Sequence, residues 1–279
     1  MIRKNIVSFI NMKGGVGKTT LCIGLGEYLA HYLHYKILFI DVDPQFNTTQ
    51  SLMNYYDLED EYMDNFHGNG KTVKRIFELP AKVSERPELP PKEDIIIKLD
   101  DNISIIAGTL DLITENSTNA SSKSKRLKKF ITENNLKDEY DFIFIDCPPT
   151  ISLFTDAALI ASDFYLTPIR VDRYSTLGIL LLDRAIESLR YYEGVEIEPL
   201  GIVYTMQANK ISDKTRKLRD VFEKSKIVKK IGMFKNETHQ VNDLLVGQQG
   251  NISSKYKKSR DDIEALCNEF LKKVGEYNE

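Results

Sequence analysis

The most constraining feature of this sequence is a glycine-rich loop that directly follows a short apolar run near the N-terminus. The loop consists of Lys13, Gly14, Gly15, Val16, Gly17, Lys18, Thr19 and Thr20. Glycines let backbone N–H groups turn inward around phosphate oxygens, because no Cβ stands in the way. A helix that starts at the end of such a loop points its positive end at the same anion. The sequence therefore predicts a strand, a phosphate-binding loop and a helix.

Two side chains of this phosphate loop have expected roles in binding a nucleotide. Lys18 would reach the β- and γ-phosphates, and the Thr19 hydroxyl would coordinate Mg²⁺. The standard pattern has glycine at position 12, where this chain has Met12, and the loop starts with a second lysine, Lys13. The plainer interpretations are a tight glycine turn and a solvated lysine at a strand end. Glycine makes up only about 7% of average sequence, which argues against a chance arrangement.

Short apolar runs recur along the chain and alternate with longer segments of helical periodicity. The runs cover residues 6–10, 37–40, 142–145, 164–169 and 200–204. Runs without polar alternation are typical of strands buried on both faces of a parallel sheet. The helical segments cover residues 19–33, 73–79, 124–135, 152–161, 177–192 and 214–224. This order predicts an α/β fold, a single doubly wound, mostly parallel sheet flanked by helices.

Length and composition fit one domain over residues 1–279. The chain has 42% hydrophobic residues, which is ample material for one core. Residues 57–71 and 80–92 are predicted surface excursions, and 116–124 a loop. The three cysteines are scattered, which favours a reducing cytoplasm over a disulfide framework or a zinc site. No apolar window approaches a membrane-spanning length, and the N-terminus lacks signal-peptide features, so a cytoplasmic protein is expected.

Aspartates end two of the predicted strands. Asp41 and Asp43 follow the second run, and Asp146 follows the run at 142–145. Ligands of open parallel sheets bind beyond the carboxyl ends of the strands, so these carboxylates and the phosphate loop should share one edge. Asp146 is expected to hold the metal ion, and Asp43 to orient the attacking water or a metal-bound water. Either could instead be a helix cap or turn former, and Asp41 could serve a structural role.

Taken together, residues 13–20, 41–49 and 146–149 resemble the deviant-Walker ATPases, and specifically their ParA/Soj branch. The Asp-Pro-Gln of 43–45 and the Asp-Cys-Pro-Pro of 146–149 carry the resemblance to that branch. It implies a P-loop NTPase-like fold that binds ATP and Mg²⁺ through the whole phosphate loop. It also implies an adenine site near Met206, Phe234 and Asn236. The chain departs from the family there, with Met233-Phe234 in place of Ile-Pro and no acidic residue before Gly178.

The resemblance implies a cycle as well as a binding site. Proteins of this family close into an ATP-sandwich homodimer, in which the first loop lysine, here Lys13, contacts the nucleotide of the other subunit. The dimer binds double-stranded DNA without sequence preference, and a ParB-like centromere-binding partner stimulates hydrolysis. A bacterial, nucleoid-associated ATPase acting on a plasmid or a chromosome is thus the expectation.

Local basic clusters are the candidate DNA surface, because the formal net charge of −3 supplies no global attraction. The resemblance places DNA contacts in two regions, with these candidates: Lys214, Arg216, Lys217, Arg219, Lys257, Lys258 and Arg260. Phosphate contacts need only positive charge at suitable spacing. The plainer interpretation of such runs is a solvated helix face.

Four other classes of protein share some of these features. A MinD-like membrane-associated positioning ATPase would end in a basic amphipathic helix. Here residues 263–279 mix apolar side chains with glutamates, which predicts a final helix packed on the core and no membrane contact. A nitrogenase-iron-protein-like carrier would need closely placed cysteines, and a tyrosine-kinase relative would have its tyrosines clustered at the tail. A non-enzymatic DNA-binding module would leave the phosphate loop and the aspartates unexplained.

Overall fold

The computed structural model describes residues 4–80, 86–115, 120–172, 174–246 and 251–278. It contains a seven-stranded sheet whose strands are β1 (Ile6–Phe9), β2 (Ile37–Asp41), β3 (Ile96–Lys98), β4 (Ile103–Ile106), β5 (Phe142–Asp146), β6 (Phe164–Ile169) and β7 (Glu198–Tyr204). Their spatial order is β3-β4-β2-β5-β1-β6-β7. Only the β3–β4 pair is antiparallel among the pairings of these strands. The predicted doubly wound, mostly parallel α/β fold is confirmed.

Helices cover both faces of the sheet. The α-helices are α1 (Lys18–Leu33), α2 (Asn47–Tyr55), α3 (Glu59–Glu61), α4 (Lys74–Phe77), α5 (Leu112–Glu115), α6 (Ala120–Lys123), α7 (Arg126–Glu133), α8 (Leu136–Glu139), α9 (Leu153–Ala161), α10 (Ser175–Glu193), α11 (Asp213–Glu223), α12 (Lys226–Ile231), α13 (Asn242–Val246) and α14 (Lys257–Asn278). A π-helical turn covers Tyr62–His67, and 3₁₀ turns cover Lys92–Asp94 and Ser253–Lys255.

The central strands carry aromatic side chains on one face of the sheet and aliphatic side chains on the other. On one face, Phe39 and Phe144 pack with α1 and α14, and the ring centroids of Phe144 and Phe270 lie 5.7 Å apart. On the other face the intervening residues of β2 and β5 are aliphatic, such as Ile40 and Ile145. Successive strand residues point to opposite faces, so a continuous apolar run fills both layers. This explains why these runs could be recognised as buried strands.

The first helix lies unusually close to the aromatic layer. A Cβ added at Gly26 would stand 2.3 Å from Cζ of Phe39, so only glycine fits there without a shift. The close packing fixes the position of α1, and therefore of the phosphate loop at its start, against β2 and β5.

Several regions of the chain differ from the sequence expectations or extend beyond the described residues. The β3 and β4 strands, in the region between the second surface excursion and α5, were not predicted from the sequence. The excursion at 57–71 carries the buried Tyr62, whose hydroxyl donates to the Gly108 carbonyl at 2.6 Å. Within the excursion at 80–92 and the loop at 116–124, residues 81–85 and 116–119 lie outside the described residues, and 120–123 are helical.

Candidate nucleotide site

The phosphate loop surrounds a cavity at the carboxyl ends of the strands. Gly15 and Gly17 adopt φ values of +68° and +81°, a left-handed conformation that favours glycine. Residues 14–20, together with Asp43 and Met206, line a cavity of about 550 Å³. Lys18 is the first residue of α1, only 7% exposed, and borders this cavity. The structure thus brings the loop, Lys18 and Asp43 together, as the sequence indicates.

Asp146 ends β5 directly beneath this loop. Its Oδ2 accepts hydrogen bonds from the hydroxyls of Thr19 and Thr48, each at 2.7 Å. Its Oδ1 is buried and has no hydrogen-bond partner among the described residues. Burial raises the pKa of this carboxyl to about 6, although the two hydroxyls and the charge of Lys18 oppose the shift. A buried carboxylate oxygen without a partner, beside a threonine hydroxyl, suits a hard cation.

The two aspartates after β2 are placed differently. Asp41 is fully buried and accepts hydrogen bonds from the Thr49 hydroxyl at 2.8 Å and from the backbone N–H of Asp43 at 3.2 Å. Burial and the nearby charge of Asp146 raise its pKa well above the ordinary range. Asp43 borders the phosphate cavity and accepts a hydrogen bond from the Gln45 N–H at 2.9 Å. Asp41 therefore supports the loop that presents Asp43.

Lys13 is the one residue of the phosphate loop that does not line this cavity. Its backbone N–H donates to Oδ1 of Asn11 at 3.1 Å, and its ammonium group forms an ion pair with Asp172. The side chains of Lys13 and Asp172 are 40% and 39% exposed. The lysine therefore points from the loop towards the segment that precedes α10.

A second, smaller cavity of about 210 Å³ adjoins the first. Gly17, Thr20, Met206 and Asn251 line both cavities, so the second one continues from the phosphate loop. Its other lining residues include Arg170, Thr205, Thr238, His239, Gln240 and Val241. Met206 has a positive φ of +53°, which is uncommon for a side chain of this kind.

Two of the three residues expected near the adenine lie outside the lining of the two cavities. Phe234 is 5% exposed and packs in the core under α14, and Asn236 donates to Glu269 of that helix at 2.8 Å. Neither lines the two cavities. The segment 238–241 borders the second cavity instead, because Thr238 pairs with the end of β7 through its backbone. The placement of Phe234 and Asn236 near the adenine stays a prediction, and of the three expected residues only Met206 lines the two cavities.

The candidate DNA-binding residues differ in how exposed their side chains are. Lys214, Arg216, Lys217, Lys257 and Lys258 are exposed. Arg216 pairs with Asp213 at 3.2 Å, and Lys258 is bonded to Asn209. The remaining two arginines are partly buried and engaged within the protein. Arg219 binds Glu237 at 2.8 Å, and Nε of Arg260 donates to the Ser254 carbonyl at 2.6 Å.

A glycine-rich loop between β1 and α1, with a lysine, a threonine and a carboxylate around one cavity, defines the class of P-loop nucleotide-binding proteins. A family model described as an AAA domain matches residues 4–198. The chain is 30% identical over 207 residues to the chromosome-partitioning ATPase Soj of Treponema pallidum, covering 71% of this chain and 70% of that one. It is 29% identical over 202 residues to the sporulation initiation inhibitor protein Soj of Bacillus subtilis, covering 72% of each.

A solved structure shows the same fold over nearly the whole chain. A putative plasmid partition protein of Borrelia burgdorferi, bound to AMPPNP, superposes with a TM-score of 0.71 at 22% identity, covering 97% of this chain and 99% of that one. This chain belongs to the ParA/Soj family of partition ATPases.

Proposed function

We propose that this protein is a DNA partition ATPase that uses bound Mg-ATP to form a sandwich dimer and to hold DNA, and that hydrolysis, stimulated by a ParB-like partner, resets it. The observation that carries the proposal is the convergence on one cavity of the glycine loop, Lys18 and Thr19, with the Thr19 hydroxyl bonded to Asp146, a buried carboxylate whose Oδ1 has no partner among the described residues. Its relatives are chromosome and plasmid partition ATPases, which supports this choice. A cytoplasmic, nucleoid-associated location follows from the same proposal.

The residues present fit ATP with Mg²⁺. The loop amides and Lys18 would hold the phosphates. The Thr19 hydroxyl and the unpartnered Oδ1 of Asp146 would hold the metal, with Asp146 acting through water. When bound, the metal neutralises negative charge on the phosphate oxygens. The adenine would occupy the second cavity beside Met206, between the phosphate loop and the segment 238–241.

Hydrolysis would depend on positioning more than on covalent chemistry. Asp43 borders the phosphate cavity, and the hydrogen bond from the Gln45 N–H fixes its side chain. We assign to Asp43 the orientation of the attacking water or of a metal-bound water, and to Lys18 the stabilisation of charge on the phosphates.

Dimerisation would use the edge on which Lys13 lies. Lys13 points away from its own cavity, which suits a contact with the nucleotide of a second copy. Beside it, Tyr174 and Leu177 at the start of α10 are 71% and 55% exposed. Exposed apolar groups of this kind mark interaction surfaces, and a second copy of this chain would cover them together with Lys13.

DNA binding would use the exposed lysines of α11 and the start of α14. Contacts to phosphate carry no sequence information, so affinity should vary little with sequence and fall steeply with salt. The alternative of a MinD-like membrane protein has less support, because the apolar side chains of α14, namely Ile263, Leu266, Phe270 and Val274, are buried in the core. Among the described residues no helix combines the length and apolar character needed to cross a bilayer.

Substitution of Asp43 tests the proposed enzymatic step. Asp43→Asn keeps the size of the side chain but removes its charge, so ATP binding and dimerisation should persist while hydrolysis falls about a hundredfold or more. The measurement is phosphate release with and without nonspecific DNA, together with sedimentation in ATP. Asp57→Asn, at an exposed acidic position outside the lining of both cavities, serves as the control. Wild-type turnover in Asp43→Asn would reject the catalytic role.

A further inference from the structure

The residue that follows β7 lies directly against the phosphate loop. Thr205 is 2% exposed, and its hydroxyl donates to the Val16 carbonyl of the loop at 2.6 Å, although the two residues are 189 positions apart in the chain. A Cβ added at Gly17 would stand 3.5 Å from Cβ of Thr205 and 3.3 Å from Cε of Met206, so the two segments are in close contact. The bond therefore ties the loop after β1 to a strand that is not a neighbour of β1 in the sheet.

Thr205 is held in place from two sides. Its backbone N–H donates to the Ile169 carbonyl of β6 at 2.9 Å, and its own carbonyl accepts from the side-chain amide of Gln207 at 2.7 Å. The oxygen of that amide accepts from Arg219 on α11 at 2.7 Å. The Thr205 hydroxyl also lies 3.1 Å from the Ile169 carbonyl, but it has one proton to donate, and the distance to Val16 is shorter. Thr205 is thus a fixed donor for the loop.

The bond from Thr205 determines which way the next amide of the loop points. The Val16 carbonyl and the Gly17 N–H belong to one peptide group, and a trans peptide directs these two groups to opposite sides. The peptide bonds of the described residues are all trans. Val16 and Gly17 line the first cavity, whereas Thr205 lines only the second. Holding the carbonyl towards Thr205 therefore turns the Gly17 N–H towards the first cavity, where it can donate to a phosphate oxygen.

We propose that Thr205 is a positioning residue for nucleotide binding, which fixes the peptide between Val16 and Gly17 so that its N–H faces the phosphates. This inference rests on the proposed function, since it requires a polyphosphate in the loop. Backbone N–H groups of such loops surround the α- and β-phosphates, so ATP and ADP should depend on Thr205 alike. Thr205 acts on binding and not on the hydrolysis step, because it lies outside the lining of the cavity that Asp43 borders.

The substitution Thr205→Val keeps the shape of the side chain and removes the proton that it donates. The Val16 carbonyl then loses the bond from Thr205, and the peptide is free to rotate. A hydrogen bond of this kind contributes about a fivefold factor to an equilibrium constant, so the Kd of ATP and that of ADP should each rise about fivefold. KM should rise with Kd, and kcat at saturating ATP should stay within about twofold of wild type, as expected when only binding is weakened.

Two further variants separate this role from general support of the fold. Thr205→Ser keeps a hydroxyl and should bring both Kd values back to within about twofold of wild type. Tyr204→Phe, one residue earlier, removes a hydroxyl that donates to Glu223 of α11 at 2.9 Å and not to the loop. Calorimetry with Mg-ATP and Mg-ADP gives Kd, phosphate release gives KM and kcat, and thermal unfolding without nucleotide gives the stability of all four proteins.

We expect a raised Kd for both nucleotides in Thr205→Val alone. An unchanged Kd in that variant would overturn the proposal. An equal rise in Tyr204→Phe would also overturn it, because any loosening of β7 would then weaken binding, and so would a failure of Thr205→Ser to recover affinity. If Thr205→Val does not fold, Thr205→Cys, whose thiol is a weak donor, replaces it with the same expectation.

The same measurements distinguish a failure of this inference from a failure of the proposed function. Wild type that binds both nucleotides, with an equal Kd in Thr205→Val, would reject the role of Thr205 and leave the proposed ATPase intact. Wild type that binds both nucleotides but releases no phosphate would reject the proposed ATPase, while a raised Kd in Thr205→Val would still verify the role of Thr205. Wild type that binds neither ATP nor ADP would reject both.

Discussion

Three aspartates at the carboxyl ends of the strands have different surroundings, and these indicate a different role for each. Asp41 and Asp146 are both fully buried, but both oxygens of Asp41 accept hydrogen bonds, from the following loop and from α2, whereas Asp146 keeps Oδ1 without a partner among the described residues. Asp43 is the one of the three that borders the open cavity. One residue type therefore supplies a structural support, a candidate metal ligand and a candidate water-orienting group.

A histidine in the last turn of α1 links this helix to the turn between β3 and β4. Nδ1 of His31 lies 2.8 Å from Oε1 of Glu27, and Nε2 lies 2.7 Å from Oδ2 of Asp100. The bond to Glu27 and that to Asp100 raise the pKa of His31, although burial opposes the shift. Burial also opposes ionisation of Glu27, but His31, Ser254 and Lys255 hold its pKa below the ordinary value. The protonated imidazole is thus the form that suits this site.

The stabilising effect of His31 should depend on pH. A raised pKa in the folded state means that the stabilisation is complete below the unfolded pKa of about 6.5 and is lost as pH rises through the folded value. His31→Gln should therefore destabilise the protein more at about pH 5.5 than at about pH 9. Urea midpoints at both pH values measure this. His34→Asn, at the exposed left-handed residue that ends α1, is the control and should not alter the pH dependence. A destabilisation that is the same at both pH values would contradict the assignment.

The basic helix α11 is held in place by one of its own arginines. Arg219 pairs with Glu237, donates to Oε1 of Gln207 at 2.7 Å, and lies with its guanidinium 4.2 Å from the ring centroid of Tyr204. Glu237 immediately precedes the segment that lines the second cavity. The arginine therefore connects α11 with the wall of the candidate adenine site.

Two substitutions on α11 should separate DNA contact from structural support. Lys217→Ala should weaken DNA binding at every sequence and lower the salt slope by about 1, with stability within about 0.5 kcal/mol of wild type. Arg219→Ala should cost about 1–3 kcal/mol of stability, because it leaves polar partners without a donor. DNA titrations at several salt concentrations and thermal unfolding measure the two effects. Wild-type DNA affinity of Lys217→Ala at all salt concentrations would exclude a contact at this residue.

Elements with a strong local signal could be predicted from the sequence, and those held by distant partners could not. The continuous apolar runs predicted β1, β2, β5, β6 and β7, because both faces of these strands are buried. The β3 and β4 strands have only three and four residues, too few for a clear pattern beside a proline-rich segment. The polar turn between the two isoleucine-rich runs was the available signal for this hairpin.

In the candidate site, too, the parts with a local sequence signal could be predicted and those that depend on distant segments could not. The phosphate loop was predictable because its glycines and lysine are contiguous. The role of Thr48 in bonding Asp146, and that of Asp172 in bonding Lys13, depend on segments that only the folded sheet brings together. The segment 238–241, proposed to border the adenine, has no chemical signature of its own and becomes evident only as the wall of a cavity.

At the scale of the whole molecule, the sheet places the nucleotide cavity and the proposed dimer contact at the carboxyl ends of its central strands. The phosphate loop follows β1, Asp43 follows β2, Asp146 ends β5 and the segment with Asp172 follows β6. These strands are adjacent in the order β2-β5-β1-β6, so the nucleotide cavity and the proposed dimer edge share the carboxyl ends of neighbouring strands. Binding of a triphosphate there can change both at once, which is what a nucleotide-dependent switch requires.

Calorimetric titration of the folded protein with ATP and Mg²⁺ tests this account most directly. Wild type should take up nucleotide in the phosphate cavity, and Lys18→Ala should lose about tenfold to a hundredfold in affinity, because a charge-assisted contact with phosphate is removed. Lys13→Ala, whose side chain lies outside the cavity, should bind ATP like wild type but as a monomer. Absence of any uptake by folded wild-type protein, or equal affinity in Lys18→Ala, would contradict the central claim.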